Sequence, residues 1–161
     1  EYVPDELDLR QSIEWVNIRA VSTDFALDIH LNASSDASVR GTEAYYAATT
    51  RYSEVLAREV SKAIGIPNRG SKHDSQSYAG SLGWLRKLKC PSVIVECLYL
   101  TNSEDRAILQ KDGTVKAAQG IANAIKTLFP VQKDNPAILA LYLKLVELYK
   151  QLIELIKRGS P

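Results

Sequence analysis

Asp24-Phe-Ala-Leu-Asp-Ile-His30-Leu-Asn32 is the stretch whose reading decides the fold. Its alternation places Phe25, Leu27, Ile29 and Leu31 on one face and Ala26, Asp28 and His30 on the other, the period of a β-strand. The pattern predicts a buried strand ending in a polar tip, because His30 runs straight into Asn32-Ala-Ser-Ser35. In open α/β sheets ligands bind beyond the carboxyl ends of the strands, which makes this tip the expected site.

Upstream, Asp8 with Gln11 reads as a capping box opening a helix with Leu9, Ile13, Val16 and Ala20 on one stripe. Downstream, Gly41 to Tyr46 alternates and predicts a second strand, with Tyr45 and Tyr46 as ordinary strand residues. A helix follows from Arg51 to Ile64, its flank formed by Val55, Leu56, Glu59, Val60 and Ala63, and Gly65 and Pro67 end it. Asn68 to Gly80 has no periodicity and many turn residues, so a long surface loop is expected there. Leu82 to Leu88 fits a strand or a short helix.

Val93-Ile-Val95, after Pro91, is too short for a helix and rich in β-branched residues, which predicts a central buried strand. Glu96 closes it. An unpaired buried carboxylate costs several kcal/mol, so Glu96 is expected to have a cation, a metal or a functional reason beside it. Thr101-Asn-Ser-Glu104 matches a capping box and opens a helix through Leu109. Asp112-Gly113 predicts its end, and Val115 to Leu128 a further helix with Ala118, Ile121, Ala122 and Ile125 inward.

A short polar linker is read at 131–136 and an amphipathic helix at 137–158. Ile138, Tyr142, Leu145, Tyr149, Leu152 and Ile156 follow 4-3-4-3-4 spacing, and the widened stripe suits packing back on the domain or self-association. Lys144, Glu147, Lys150, Glu154 and Lys157 interrupt it too often for a membrane span.

Composition narrows the function classes. A chain of 161 residues, 45% hydrophobic and 24% charged, argues for one folded domain rather than a disordered tract. A net charge of +1 with both signs interleaved leaves no basic face for nucleic acid. Cys90 and Cys97 flank the Glu96 strand, which at ~3.3 Å per residue separates them too far for a disulfide. Their spacing gives no structural zinc motif either. From Glu1 onward no basic and apolar leader is read, so no export signal is expected in this stretch.

With these pieces placed, a resemblance can be stated. The run Leu27-Asp-Ile-His30-Leu-Asn-Ala-Ser, then Arg40-Gly-Thr-Glu-Ala-Tyr-Tyr46, then Asn68-Arg-Gly-Ser-Lys72, then Pro91-Ser-Val-Ile-Val-Glu96, then Leu100-Thr-Asn-Ser-Glu-Asp105 resembles the zinc-dependent N-acetylmuramoyl-L-alanine amidases of bacterial cell-wall hydrolases. The resemblance runs from about Tyr2 to Phe129. It implies that His30 is a ligand of a catalytic zinc, that Glu96 is the catalytic carboxylate, and that the substrate is peptidoglycan. The reaction implied is hydrolysis of the amide between N-acetylmuramic acid and L-Ala of the stem peptide, which places the protein in the cell envelope or outside the cell.

One departure stands out. Members of the family begin with a strand ending in Asp-Pro-Gly-His-Gly-Gly, whose histidine is a zinc ligand, and a helix carrying a glutamate ligand; neither motif occurs here. Glu14 and Glu43 are local carboxylates whose spacing assigns them nothing. His73 reads as a solvated or substrate-edge residue, and His73-Asp-Ser75 is no triad, because consecutive side chains cannot bring their tips together in that geometry. Asn32 and Arg69 are the candidate substrate contacts, Arg69 either holding a substrate carboxylate or pairing with an acid of the protein. Asn102, Glu104 and Asp105 read as helix-cap residues.

The expectation is therefore an α/β domain over 1–130, with a mostly parallel central sheet, helices on both faces and a C-terminal amphipathic helix. Two functions are carried forward: a zinc-dependent peptidoglycan amidase, and a non-catalytic amidase-like domain that binds peptidoglycan or associates through its last helix.

Overall fold

A computed structural model describes residues 1–130 and Lys144; the linker read at 131–136 and, Lys144 apart, the helix read at 137–158 lie outside the described residues. A single four-stranded sheet organises the domain, in the order β1 (Ala26–Asn32), β4 (Ser92–Tyr99), β2 (Thr42–Tyr46), β3 (Asn68–His73). β1 runs parallel to β4 and β2 parallel to β3, while β2 and β4 are antiparallel. The sheet is thus mostly parallel, with one antiparallel seam at its centre.

Alternation along the strands divides the core in two. On one face Ala44, Val93, Val95 and Cys97 pack against Leu56, Ala57, Val60 and Ile64 of α2 (Arg51–Ile64) and Ala117 and Ala124 of α5 (Thr114–Leu128). On the other, Tyr45 and Ile94 meet Ile13 and Val16 of α1 (Leu9–Arg19) and Trp84 and Leu85 of α3 (Gly83–Lys87). The capping box at Asp8 and Gln11 forms as read, and Gly65, at φ +84°, closes α2 in the left-handed conformation. Cys90 and Cys97 are free and buried. No helix among the described residues is long and apolar enough to cross a membrane.

Several expectations are corrected. Asn68–His73 forms a strand rather than part of a loop. It lies at the sheet edge, where backbone bonds to β2 hold it and no apolar period is needed. β1 is the opposite edge and is buried only in part: Phe25 and Leu27 pack on the core, but Ile29 is 57% and Leu31 40% exposed. The stretch Leu82 to Leu88 resolves as the short helix α3. Asn102, not Thr101, caps α4 (Ser103–Ile108), its Oδ1 accepting from the amides of Glu104 and Asp105. Asp112-Gly113 does not end the helical path. Gly113 stays right-handed at φ −59°, and a π turn over Leu109–Gly113 carries α4 into α5.

Two buried carboxylates tie the elements together. Asp105 accepts from the amides of Gly41 and Tyr99 and from Arg40 Nε at 2.9, 3.0 and 3.1 Å, joining α4 to the start of β2 and the end of β4. Asp74, just after β3, receives Arg86 Nε at 2.5 Å and Nη2 at 2.7 Å and the Leu82 amide at 3.0 Å, which locks α3 against that edge. The Arg86 pair holds the Asp74 carboxyl below its ordinary range despite burial.

Helix α5 crosses α2 at Gly120, where an added Cβ would lie 2.5 Å from Val60 Cα and 2.8 Å from Glu59 O. Gly120→Ala gains up to ~1 kcal/mol of helix propensity, but those neighbours are backbone and can yield only if the helices separate, at about 1–3 kcal/mol. The clash should win, lowering the thermal midpoint by several degrees; an unchanged or raised midpoint would show slack between the helices. For Asp74 the folded pKa is depressed, so its stabilisation is complete above the ordinary carboxylate range and lost as pH falls from that range through the lower folded value. Asp74→Asn should cost about 1–3 kcal/mol at neutral pH in urea unfolding, and the gap to the parent should close below about pH 4. A gap independent of pH would contradict the pairing.

Candidate active site

Strand register sets one row of polar side chains across the sheet. His30 on β1 stands opposite Glu96 on β4, and Glu96 stands opposite Glu43 on β2. Directly opposed residues project from the same face with Cβ atoms about 4.5–5.5 Å apart. This is the face that α1 and α3 cover farther along, over Ile94 and Tyr45. The row lies beyond that cover, toward the carboxyl ends of β1 and β4.

Glu43 is 1% exposed and fully served. Its Oε1 accepts from Tyr45 OH at 2.6 Å and Asn32 Nδ2 at 2.9 Å, and its Oε2 from Lys72 Nζ at 2.5 Å and Arg69 Nε at 2.8 Å. Burial alone pushes the carboxyl upward, but the bonds from Lys72, Tyr45 and Arg69 outweigh it and hold the pKa at about 2. The Arg69 guanidinium also lies 5.3 Å from the centre of the Tyr99 ring.

Glu96 is the opposite case. Its Oε2 is buried without a hydrogen-bond partner among the described residues. Burial raises its pKa, the charges of Glu43 and Asp28 push the same way, and His30 opposes them. His30 Nε2 lies 2.9 Å from Asp28 Oδ2, two residues back on the same strand face. That hydrogen bond raises the imidazole pKa against the desolvation that lowers it. A carboxyl with one unsatisfied oxygen beside an imidazole can exchange protons with a water or an amine that enters the row.

The structure therefore brings His30, Glu96, Asn32 and Arg69 to one end of the sheet. Arg69 pairs with an acid of the protein, and that acid is Glu43. His73 stays apart, its Nδ1 2.8 Å from Ser75 Oγ. Asp105, read as a cap residue, is a buried tie of the fold. Sequence reasoning left Glu43 unassigned and missed Asp28, Tyr45 and Lys72. Asp28 had a signal, since Asp-x-His on a strand puts both side chains on one face; Lys72 had none while its segment read as loop. A catalytic zinc has about three protein ligands, and no three His, Cys, Asp or Glu side chains among the described residues converge as a metal site. His30 fits one corner of such a centre, and the described donors do not complete it.

Known proteins resemble this chain in sequence and in fold. An endolysin of Bacillus phage SPP1 is 29% identical over 127 residues, covering 72% of this chain and 44% of the endolysin. The N-acetylmuramoyl-L-alanine amidase LytC of Bacillus subtilis is 31% identical over 112 residues, 63% of this chain and 21% of LytC. The chain thus spans less than half the length of either relative. Among solved structures, the catalytic domain of CwlV, an N-acetylmuramoyl-L-alanine amidase from Bacillus (Paenibacillus) polymyxa var. colistinus, superposes with a TM-score of 0.65 at 28% identity, over 78% of this chain and 68% of that one. The amidase AmiC2 of Nostoc punctiforme gives 0.66 at 25% identity, over 78% and 67%. The family model described as N-acetylmuramoyl-L-alanine amidase matches residues 4–127, nearly all of the described fold, and the chain belongs to that family.

Proposed function

We propose that this chain carries the acid–base half of a peptidoglycan amidase centre that hydrolyses the amide between N-acetylmuramic acid and L-Ala of the stem peptide. The observation that carries the reading is the juxtaposition of Glu96, one oxygen unsatisfied, with His30 at the open end of a parallel strand pair. In this reading Glu96 takes a proton from the attacking water and returns it to the leaving amine, a role worth about a hundredfold or more in rate. Asp28 holds His30 through Nε2, as carboxylates hold metal-binding imidazoles, leaving the other ring nitrogen for a ligand role.

Zinc is the metal this family reading implies, and bound zinc supplies Lewis acidity and a more acidic water. His30 would be one ligand of it, and the described residues do not supply a complete set. Asn32 and Arg69 border the substrate path, and the place of action is the cell envelope or beyond it.

A second reading has its own support. Because the described donors do not complete a metal site, an amidase-like domain that binds peptidoglycan without cleaving it is consistent with the same row of residues.

Release of stem peptides from purified peptidoglycan separates the two. Glu96→Gln should abolish release by the zinc-loaded protein, and His30→Ala should lower its zinc content. Undiminished release by Glu96→Gln, or no release from zinc-loaded protein that still sediments with peptidoglycan, would overturn the catalytic reading and leave the binding one.

A further inference from the structure

The cations beside Glu96 are more numerous than the fold needs. Glu43 is a single negative charge that receives two positive side chains, both on the same oxygen. Its other oxygen already has two neutral donors, Tyr45 and Asn32. The cluster of Glu43, Arg69 and Lys72 therefore carries one positive charge in excess. Neither cation is exhausted by Glu43: Arg69 engages it through Nε and also bonds the Tyr99 hydroxyl, which leaves part of its five-donor fork, and Lys72 engages it through one of three protons. Both side chains reach the surface, Arg69 33% and Lys72 25% exposed, while Glu43 is 1% exposed beneath them. A charge pair that served stability alone would be matched one to one, because each additional partly buried cation adds a desolvation cost.

We infer that Arg69 and Lys72, held side by side on the Glu43 carboxylate, form an anion-binding subsite next to Glu96 that receives a free carboxylate of the stem peptide. The inference rests on the amidase-family reading of the site and adds the substrate class. Arg69 presents the planar fork that binds carboxylates in pairs of hydrogen bonds, with the Tyr99 ring against its guanidinium to fix its orientation. Lys72 supplies a second donor from β3, opposite Tyr45. Glu43 touches no substrate in this scheme and acts as a positioning residue. The acids facing the subsite, Glu96 across the sheet and Asp28 beyond it, keep a bound carboxylate on the β3 side of the row, away from the reacting amide. One end of the substrate is thereby anchored while its neighbouring amide lies over Glu96.

Calorimetric titration of the whole chain with an N-acetylmuramoyl dipeptide, L-Ala followed by D-Glu, tests this without requiring turnover. The free-acid form should bind about tenfold to a hundredfold more tightly than the same molecule with its D-Glu carboxyls amidated, the range of one or two charge-assisted hydrogen bonds. Arg69→Gln and Lys72→Gln should each erase most of that preference. Equal binding of the two forms would overturn the subsite and leave the peptidoglycan reading standing. Failure of both forms to bind would overturn the subsite and the peptidoglycan reading together. The comparison of ligands on the parent chain decides the matter even where a variant folds poorly. Glu43→Gln supplies the positioning readout: retained binding with the preference for the acid reduced, and a merely structural Glu43 would leave that preference intact.

Discussion

The burial of the Glu43 charge constrains the centre of this structure. An ionised carboxylate at 1% exposure is tolerated only if both oxygens are hydrogen-bonded. Its donors come from Asn32 at the end of β1, Tyr45 on β2 itself, and Arg69 and Lys72 on β3. Register then puts Glu96 of β4 directly opposite. All four strands thus meet at one residue, and a slip of any by one position would turn the relevant side chain to the other face. The sheet's unusual feature, an antiparallel seam between two parallel pairs, is what lets β2 deliver Glu43 against the carboxyl end of β4.

The two glutamates of that seam are neighbours with opposite environments. Glu43 is surrounded by donors and stays ionised down to about pH 2, whereas Glu96 is buried with an orphaned oxygen and shifted upward. Pairs of titratable groups whose surroundings drive them apart are a recurrent mark of divided acid–base roles. Here the division has a plain cause. The cations on β3 reach Glu43 and not Glu96, and Glu96 instead faces the negative charge of Glu43 on one side and His30 on the other. The same arrangement keeps Glu43 ionised and leaves one Glu96 oxygen without a partner among the described residues.

Much of this was legible in the sequence. The capping box at Asp8, the apolar run before Glu96 and the strand through His30 are local patterns that the structure forms. The buried face of α2, by contrast, keeps Leu56 and Val60 but turns toward Ala57 and Ile64 instead of Glu59 and Ala63. Legibility failed where local pattern and tertiary context part. Asn68–His73 has no apolar period because it is an edge strand held by its backbone, and with that strand unseen, Lys72 and the partner of Arg69 could not be placed. Asp105 looked like a cap residue because its sequence position is one; that its carboxylate instead reaches Gly41 and Tyr99 follows from a packing of α4 that no spacing encodes. The Asp28–His30 pair was within reach, since both residues sit on one strand face, and the Glu43–Glu96 pair was not, since it depends on which strands are neighbours.

The exposed half of β1 leaves an apolar pattern without cover among the described residues. Its apolar alternation is continuous from Phe25 to Leu31, yet only Phe25 and Leu27 are packed on the core; Ile29 and Leu31 stand open beside His30. Apolar alternation is usually written by burial, and fully burying a side chain such as Ile or Leu is worth roughly 1.5–3 kcal/mol. Among the described residues nothing covers that end, and β1 hydrogen-bonds to a neighbour on one side only. The uncovered apolar surface therefore lies along the same edge as His30 and the open end of the polar row, though on the opposite face, so exposed packing surface and candidate chemistry share one edge of the sheet.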